Sequence, residues 1–360
     1  MRRAVSRWGA LALTAALLVG AVVGAAGTPT RAGAAPLRAI LVLNGTLGDK
    51  SFFDSAQRGM DMARRQLGVQ TETIEMGYDP AKWQAGLEDI ASSKPYDILI
   101  VGTFQMADFL AQVAPRFPSK KFVIFDVSVD YNKCANKCAN VYSILYKQNE
   151  GSYLAGLYAG LMIRKKDIPG MVGTKIGVVG GLDIPVINDF IVGYRQGAKD
   201  AGLDPGRDVL VQYAGAFNDP AKGKEITKAM YRQGAAIVFN VAGGTGVGIL
   251  EAAAEDGRWA IGVDSDQYLI FKDQKPAIAG RILTSMLKNV DNSLLRALRL
   301  AQQGRVPWGR AEALGIAEGG VGLARNENYM KWTPADVRAR IDQAERDIRA
   351  GRVKVDTVFR

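Results

Sequence analysis

The 360-residue chain contains no histidine and only two cysteines. Without imidazole there is no Ser-His-Asp or Cys-His nucleophile, no His-ligated zinc and no imidazole acid–base catalyst. Two cysteines cannot build a four-thiolate metal site. No run of basic residues interleaved with aromatics occurs, so the +10 net charge reads as a solvated surface and not as a nucleic-acid footprint. What remains is ordinary globular composition, 48% apolar and 23% charged, which excludes wholesale disorder. The length suits two lobes, each able to bury its own core. This inventory fits a binder better than an enzyme, with no cofactor and no metal.

Arg2, Arg3 and Arg7 open the chain, an apolar run follows from Ala10 to Ala26, and small residues surround Ala32-Gly33-Ala34. This order of basic, apolar and small segments predicts a secretory signal peptide over residues 1–34, with an uncleaved membrane anchor as the alternative. Its removal takes away four arginines and no acid, which lowers the net charge from +10 to +6. No cysteine precedes Cys134, so the cleavage site offers no acceptor for lipid, and the mature chain is expected free outside the cytoplasm. In an oxidising compartment Cys134 and Cys138 are expected to close a local disulfide; a redox or metal role is the alternative.

Beyond residue 35 buried strands alternate with amphipathic helices. Strands are expected at Ala39–Leu43, Val69–Glu75, Asp97–Val101 and Phe122–Phe125, with helices between them. The alternation restarts after residue 150 with strands at Lys175–Val179, Val209–Tyr213, Ala236–Val241 and Trp259–Val263. The pattern predicts an α/β protein with two doubly wound, mostly parallel sheets. The expected division is lobe 1 over 35–147 plus about 278–312, and lobe 2 over 148–277 plus about 313–360.

Ligands of open α/β sheets sit at the carboxyl ends of strands, which directs attention to residues immediately after them. The chain supplies Asn44, Asp49, Ser51 and Phe52 after the first strand, Phe104 after the third, and Asp126 after the fourth. The second block supplies Phe217-Asn218-Asp219, the glycines from Gly243 to Gly248, and Asp264-Ser265-Asp266. An Asp in such a place also serves as a helix cap, and a Phe as core. The glycine cluster lacks both the Lys-Ser/Thr of a P-loop and the third glycine of a dinucleotide fingerprint.

Taken together, Gly48-Asp49-Lys50-Ser51-Phe52, Phe122-Val123-Ile124-Phe125-Asp126, Glu150-Gly151-Ser152-Tyr153-Leu154-Ala155-Gly156, Val178-Val179-Gly180-Gly181, Phe217-Asn218-Asp219, Ala242-Gly243-Gly244-Thr245-Gly246, Ile261-Gly262-Val263-Asp264-Ser265-Asp266-Gln267 and Lys288 resemble the basic membrane protein family of ABC-transporter solute-binding proteins. The resemblance spans about residues 38–300. It implies a two-lobed periplasmic-binding-protein fold of type I, and the chain is expected to be a monomeric receptor of the periplasm. That receptor takes a purine nucleoside or nucleobase and delivers it to an ABC permease of the inner membrane. It also implies that Phe52 and Phe217 hold a base, Asp126 contacts the base, and Asp264 contacts ribose hydroxyls. Gly243 or Gly244 then offers backbone contacts and Lys288 a polar one, and Asp49, Ser51 and Phe53, beside Phe52, complete the expected ligand-binding set. Phe53 departs from the Asn common after the Ser-Phe pair in the family, and the absent lipidation cysteine departs from its lipoprotein members. A sensory receptor for a sugar-like or other metabolite is the second reading. A nucleoside hydrolase is the third, weakened by the dispersal of the acids.

Overall fold

The computed structural model describes residues 35–359 apart from 166 and 167. The signal segment expected over 1–34 lies outside the described residues. Described residues from Pro36 onward form one compact unit.

The first block alternates β1 (Arg38–Leu43), α1 (Phe52–Leu67), β2 (Gln70–Glu75), α2 (Trp83–Ser93), β3 (Ile98–Gly102), α3 (Ala107–Val113), β4 (Lys121–Phe125) and β5 (Val141–Tyr146). After α4 (Gln148–Met162), the second block runs β6 (Lys175–Gly180), α5 (Pro185–Asp200), β7 (Val209–Tyr213), α6 (Pro220–Arg232), β8 (Ala235–Val241), α7 (Gly246–Glu255) and β9 (Trp259–Asp264). The short helices α8 (Gln267–Phe271) and α9 (Pro276–Ala279) lead to β10 (Ile282–Lys288) and α10 (Val290–Gln302). Finally β11 (Arg310–Leu314), β12 (Val321–Leu323), α11 (Glu327–Trp332) and α12 (Ala335–Arg349) complete the chain.

The strands form two six-stranded sheets, ordered β11-β5-β4-β3-β1-β2 and β12-β10-β9-β8-β6-β7. Every pairing is parallel except β10 with the short edge strand β12. The central strands β3 and β8 are buried at every position, as parallel strands covered on both faces must be.

One core runs from Leu41 and Phe125 in the first sheet, through α4, to Phe239 and Ile261 in the second. Separate cores cover the far face of each sheet. Helix α4 is apolar nearly all round and accordingly buried along its length. It lies so close to α5 that a Cβ at Gly156 or Gly197 would come within 2.0 Å of the carbonyl oxygen of Tyr194 or Tyr153. That backbone contact fixes α5, which matters for the cavity described below.

The segment over 278–312 divides otherwise than expected. Strand β10 pairs with β9 in the second sheet, whereas α10 packs on α1 and β11 joins the first sheet. A buried strand followed by an amphipathic helix carries no mark of which sheet each will join. The chain thus passes between the sheets after Tyr146, after Lys288, and between Leu314 and Val321. Cys134 and Cys138 form the expected disulfide, with Cα atoms 5.5 Å apart.

Candidate functional site

In the first sheet the winding reverses between β1 and β3, and in the second between β6 and β8. The loops leaving the carboxyl ends of these four strands diverge and leave a crevice, the general ligand position of doubly wound sheets. The two crevices face each other and enclose a cavity of about 250 Å3. This lies just below the ~300–1,000 Å3 of small-molecule pockets.

The ends of β4, β9 and β10 bring Asp126, Asp264 and Lys288 to its wall. Lys288 pairs with Asp126, and the side chains are 3% and 8% exposed. The ammonium also lies 5.0 Å from the Phe190 ring centre and 5.4 Å from those of Phe52 and Tyr146, so aromatic faces supply part of its solvation. Asp264 accepts a hydrogen bond from the Ser51 hydroxyl across the crevice. Burial pushes its carboxyl up to about 6, partly opposed by Lys288 and Ser51 and reinforced by Asp49 and Asp126. Asp126 and Asp264 both have positive φ, +78° and +62°, as does Thr103 at the end of β3 with +76°. Left-handed backbone at non-glycine residues is costly, and here it recurs at three strand ends around one cavity.

Asp49 lines the same wall, but its carboxylate is committed to the start of α1. It accepts the amides of Ser51 at 2.9 Å, Phe53 at 2.8 Å and Asp54 at 3.1 Å. Burial nonetheless raises its pKa against the pull of these amides. Its principal task is to cap a helix that Ser51 leaves without a side-chain cap.

Phe52 tilts against Phe125 with ring centres 5.3 Å apart and meets Phe53 edge-on at 5.5 Å. On the opposite side Phe217 lies over Gly181 and Gly243; a Cβ at Gly181 would come within 2.3 Å of its ring. Gly243 takes φ +54°, a conformation open to glycine at little cost, and with Gly244 presents backbone to the cavity. The loop after β6 and the first turns of α5 add Leu182, Ile184, Val186, Ile187 and Phe190.

The cavity therefore brings together Asp49, Phe52, Phe53, Asp126, Phe217, Gly243, Gly244, Asp264 and Lys288. Ser51 is fully buried outside the lining; its hydroxyl reaches the site through Asp264 and its amide through Asp49. Asn44 and Phe104 line it too, whereas Asp219 caps α6 and Asp266 accepts from Asn326 at 2.9 Å. Sequence reasoning missed Tyr78, Trp83, Thr103, Gln105 and the aliphatic wall from β6 to α5. The latter was accessible as a loop following a strand at the second reversal point. Phe190 looks like any core residue of an amphipathic helix.

Comparison with known proteins follows the same lines. The Bmp family model, described as ABC transporter substrate-binding protein PnrA-like, matches residues 37–351. An ABC transporter nucleoside-binding protein of Lactococcus lactis is 29% identical, over 89% of this chain and 89% of its own. A lipoprotein of Pyrococcus abyssi is 33% identical, over 87% of this chain and 76% of its own. Among solved structures, an ABC transporter solute-binding protein from Aeropyrum pernix superposes with a TM-score of 0.77 at 27% identity, covering 90% of this chain and 94% of its own. The two-sheet architecture is that of the type I periplasmic solute-binding proteins. Among the described residues no helix is long and apolar enough to cross a membrane.

Proposed function

This chain belongs to the Bmp family of PnrA-like ABC transporter substrate-binding proteins, which are binders and not enzymes, and on that premise we propose that its cavity takes a purine nucleoside or nucleobase. The observation that carries the reading is the pairing of flat aromatic faces with carboxylates in one small enclosure. Phe52 and Phe217 lie in its wall with Asp126, Asp264 and Lys288. A base presents a π-face for the rings, and a vicinal diol presents two hydroxyl protons to a carboxylate. Lys288 keeps donor capacity beyond its bond to Asp126 and can serve a carbonyl or ring nitrogen. The nucleoside-binding relative from Lactococcus lactis supports the same ligand class.

The two sheets with their helices are the bodies that move, and the three crossings near Tyr146, Lys288 and residues 314–321 are the hinge. Ligand contacts from both sides exist only when the bodies meet, so binding shifts the population toward the closed form, which an ABC permease then accepts. The chain carries no cysteine before Cys134, so we place it free in the periplasm after loss of residues 1–34. A thermal-shift screen against nucleosides, nucleobases, sugars and amino acids tests the ligand class. A ligand at 100 times its Kd adds about 2.7 kcal/mol to native stability. A shift with adenosine, guanosine or inosine supports the reading; a shift confined to another solute class overturns it.

A further inference from the structure

Gln267, the first residue of α8, is fully buried and lies outside the cavity lining. Its side-chain oxygen accepts the Val263 amide at 3.1 Å and the Asn240 side-chain amide at 3.2 Å. Its backbone N–H donates to the Ser285 hydroxyl at 3.1 Å. These bonds tie together β9, β8 and β10, all of the second sheet. The remaining donor, Nε2–H, points the other way and donates at 2.9 Å to the carbonyl of Lys50, in the loop between β1 and α1.

Lys50 is itself held in a left-handed turn with φ +57°, its amide donating to the Asp54 carboxylate at 3.0 Å. Three further bonds cross at the same edge: Arg58 donates to the Ser265 hydroxyl at 2.7 Å, the Ser265 hydroxyl donates to the Ser51 carbonyl at 3.4 Å, and Ser51 donates to Asp264. Protein–protein bonds thus join the two bodies along this edge of the crevice.

We propose that Gln267 is the latch of the closed form, a positioning residue that sets the balance between open and closed protein without touching the ligand. The inference rests on the reading that the two bodies close around a solute. The chemistry suits an amide, which carries an acceptor at one end and a donor at the other. The acceptor end belongs to the second sheet in either state. The donor end has its partner only when the first body arrives.

Two substitutions separate the ends. Gln267→Glu keeps both acceptor bonds and sets an oxygen against the Lys50 carbonyl. Gln267→Met removes every side-chain bond without introducing repulsion. Small-angle X-ray scattering of the empty protein is expected to give a larger radius of gyration for Gln267→Glu than for Gln267→Met, with wild type the most compact. The open-to-closed ratio rises roughly fivefold for the loss of one such bond. Inosine is expected to dissociate from the variants faster by a similar factor, with little change in association rate.

A residue that only braces the second sheet predicts the reverse order, with Gln267→Met the more damaging, and that order overturns the latch. Equal radii in all three proteins, or loss of folded circular dichroism in both variants, also overturn it. If wild type ignores inosine, the nucleoside reading fails, while the scattering of the empty protein still decides the latch.

Discussion

Lys288 at the end of β10 pairs with Asp126 just beyond β4, so two strands from different sheets meet in a buried ion pair at the edge of the cavity. Removing one partner strands the other charge in a poorly solvated place. Lys288→Met is expected to cost about 3–5 kcal/mol of unfolding free energy and to abolish nucleoside binding. The double variant Asp126→Leu/Lys288→Met is expected to recover much of the stability and none of the binding. Urea unfolding of wild type, the two single variants and the double variant gives the coupling energy.

Asp264 makes stability depend on pH in an identifiable direction. Its carboxyl is raised by burial to about 6, above its unfolded value, so the folded protein binds the extra proton more tightly. The associated stabilisation is fully present below pH ~4 and is lost as pH rises through about 6, on the order of 2 kcal/mol. The difference in melting temperature between wild type and Asp264→Asn is therefore expected to fall between pH 4 and 7. A difference that is flat across this interval contradicts the assignment.

Gly181 has no side chain where the ring of Phe217 lies. Gly181→Ala is expected to displace that ring and weaken nucleoside binding at least tenfold, with little loss of stability because Phe217 is only partly buried. Calorimetric titration beside Phe217→Ala checks this: the two variants should lose similar affinity.

The Cys134–Cys138 bridge closes a short loop whose cysteines pack in the outer core of the first sheet, and neither lines the cavity. Replacing both by serine is expected to cost stability at the low end of ~2–4 kcal/mol and to leave affinity unchanged. Chemical denaturation and ligand titration of the same variant separate the two effects.

The alternation of buried strands and amphipathic helices was sufficient to read most of both sheets, because parallel strands are short apolar runs and their helices carry the 3.6-residue period. Strand β5 escaped because Val141–Tyr146 runs directly toward α4 without a turn signal, and β11 because Arg310–Leu314 is largely exposed. At the site, position after a strand located Asp126, Asp264 and Phe217. The same rule could not tell Asp49, whose oxygens are taken by the amides of α1, from a group free to meet a ligand. Nor could it reveal that Ser51 acts through Asp264, since their bond joins residues 213 positions apart.

Isothermal titration of the purified protein with adenosine, guanosine and inosine, repeated with Phe52→Ala and Asp264→Ala, tests the central claim most directly. The expected result is saturable one-to-one binding of at least one nucleoside to wild type, lost or greatly weakened in both variants while they remain folded by circular dichroism. Undiminished affinity in both variants, or no nucleoside binding by a wild type that binds another solute, would contradict it.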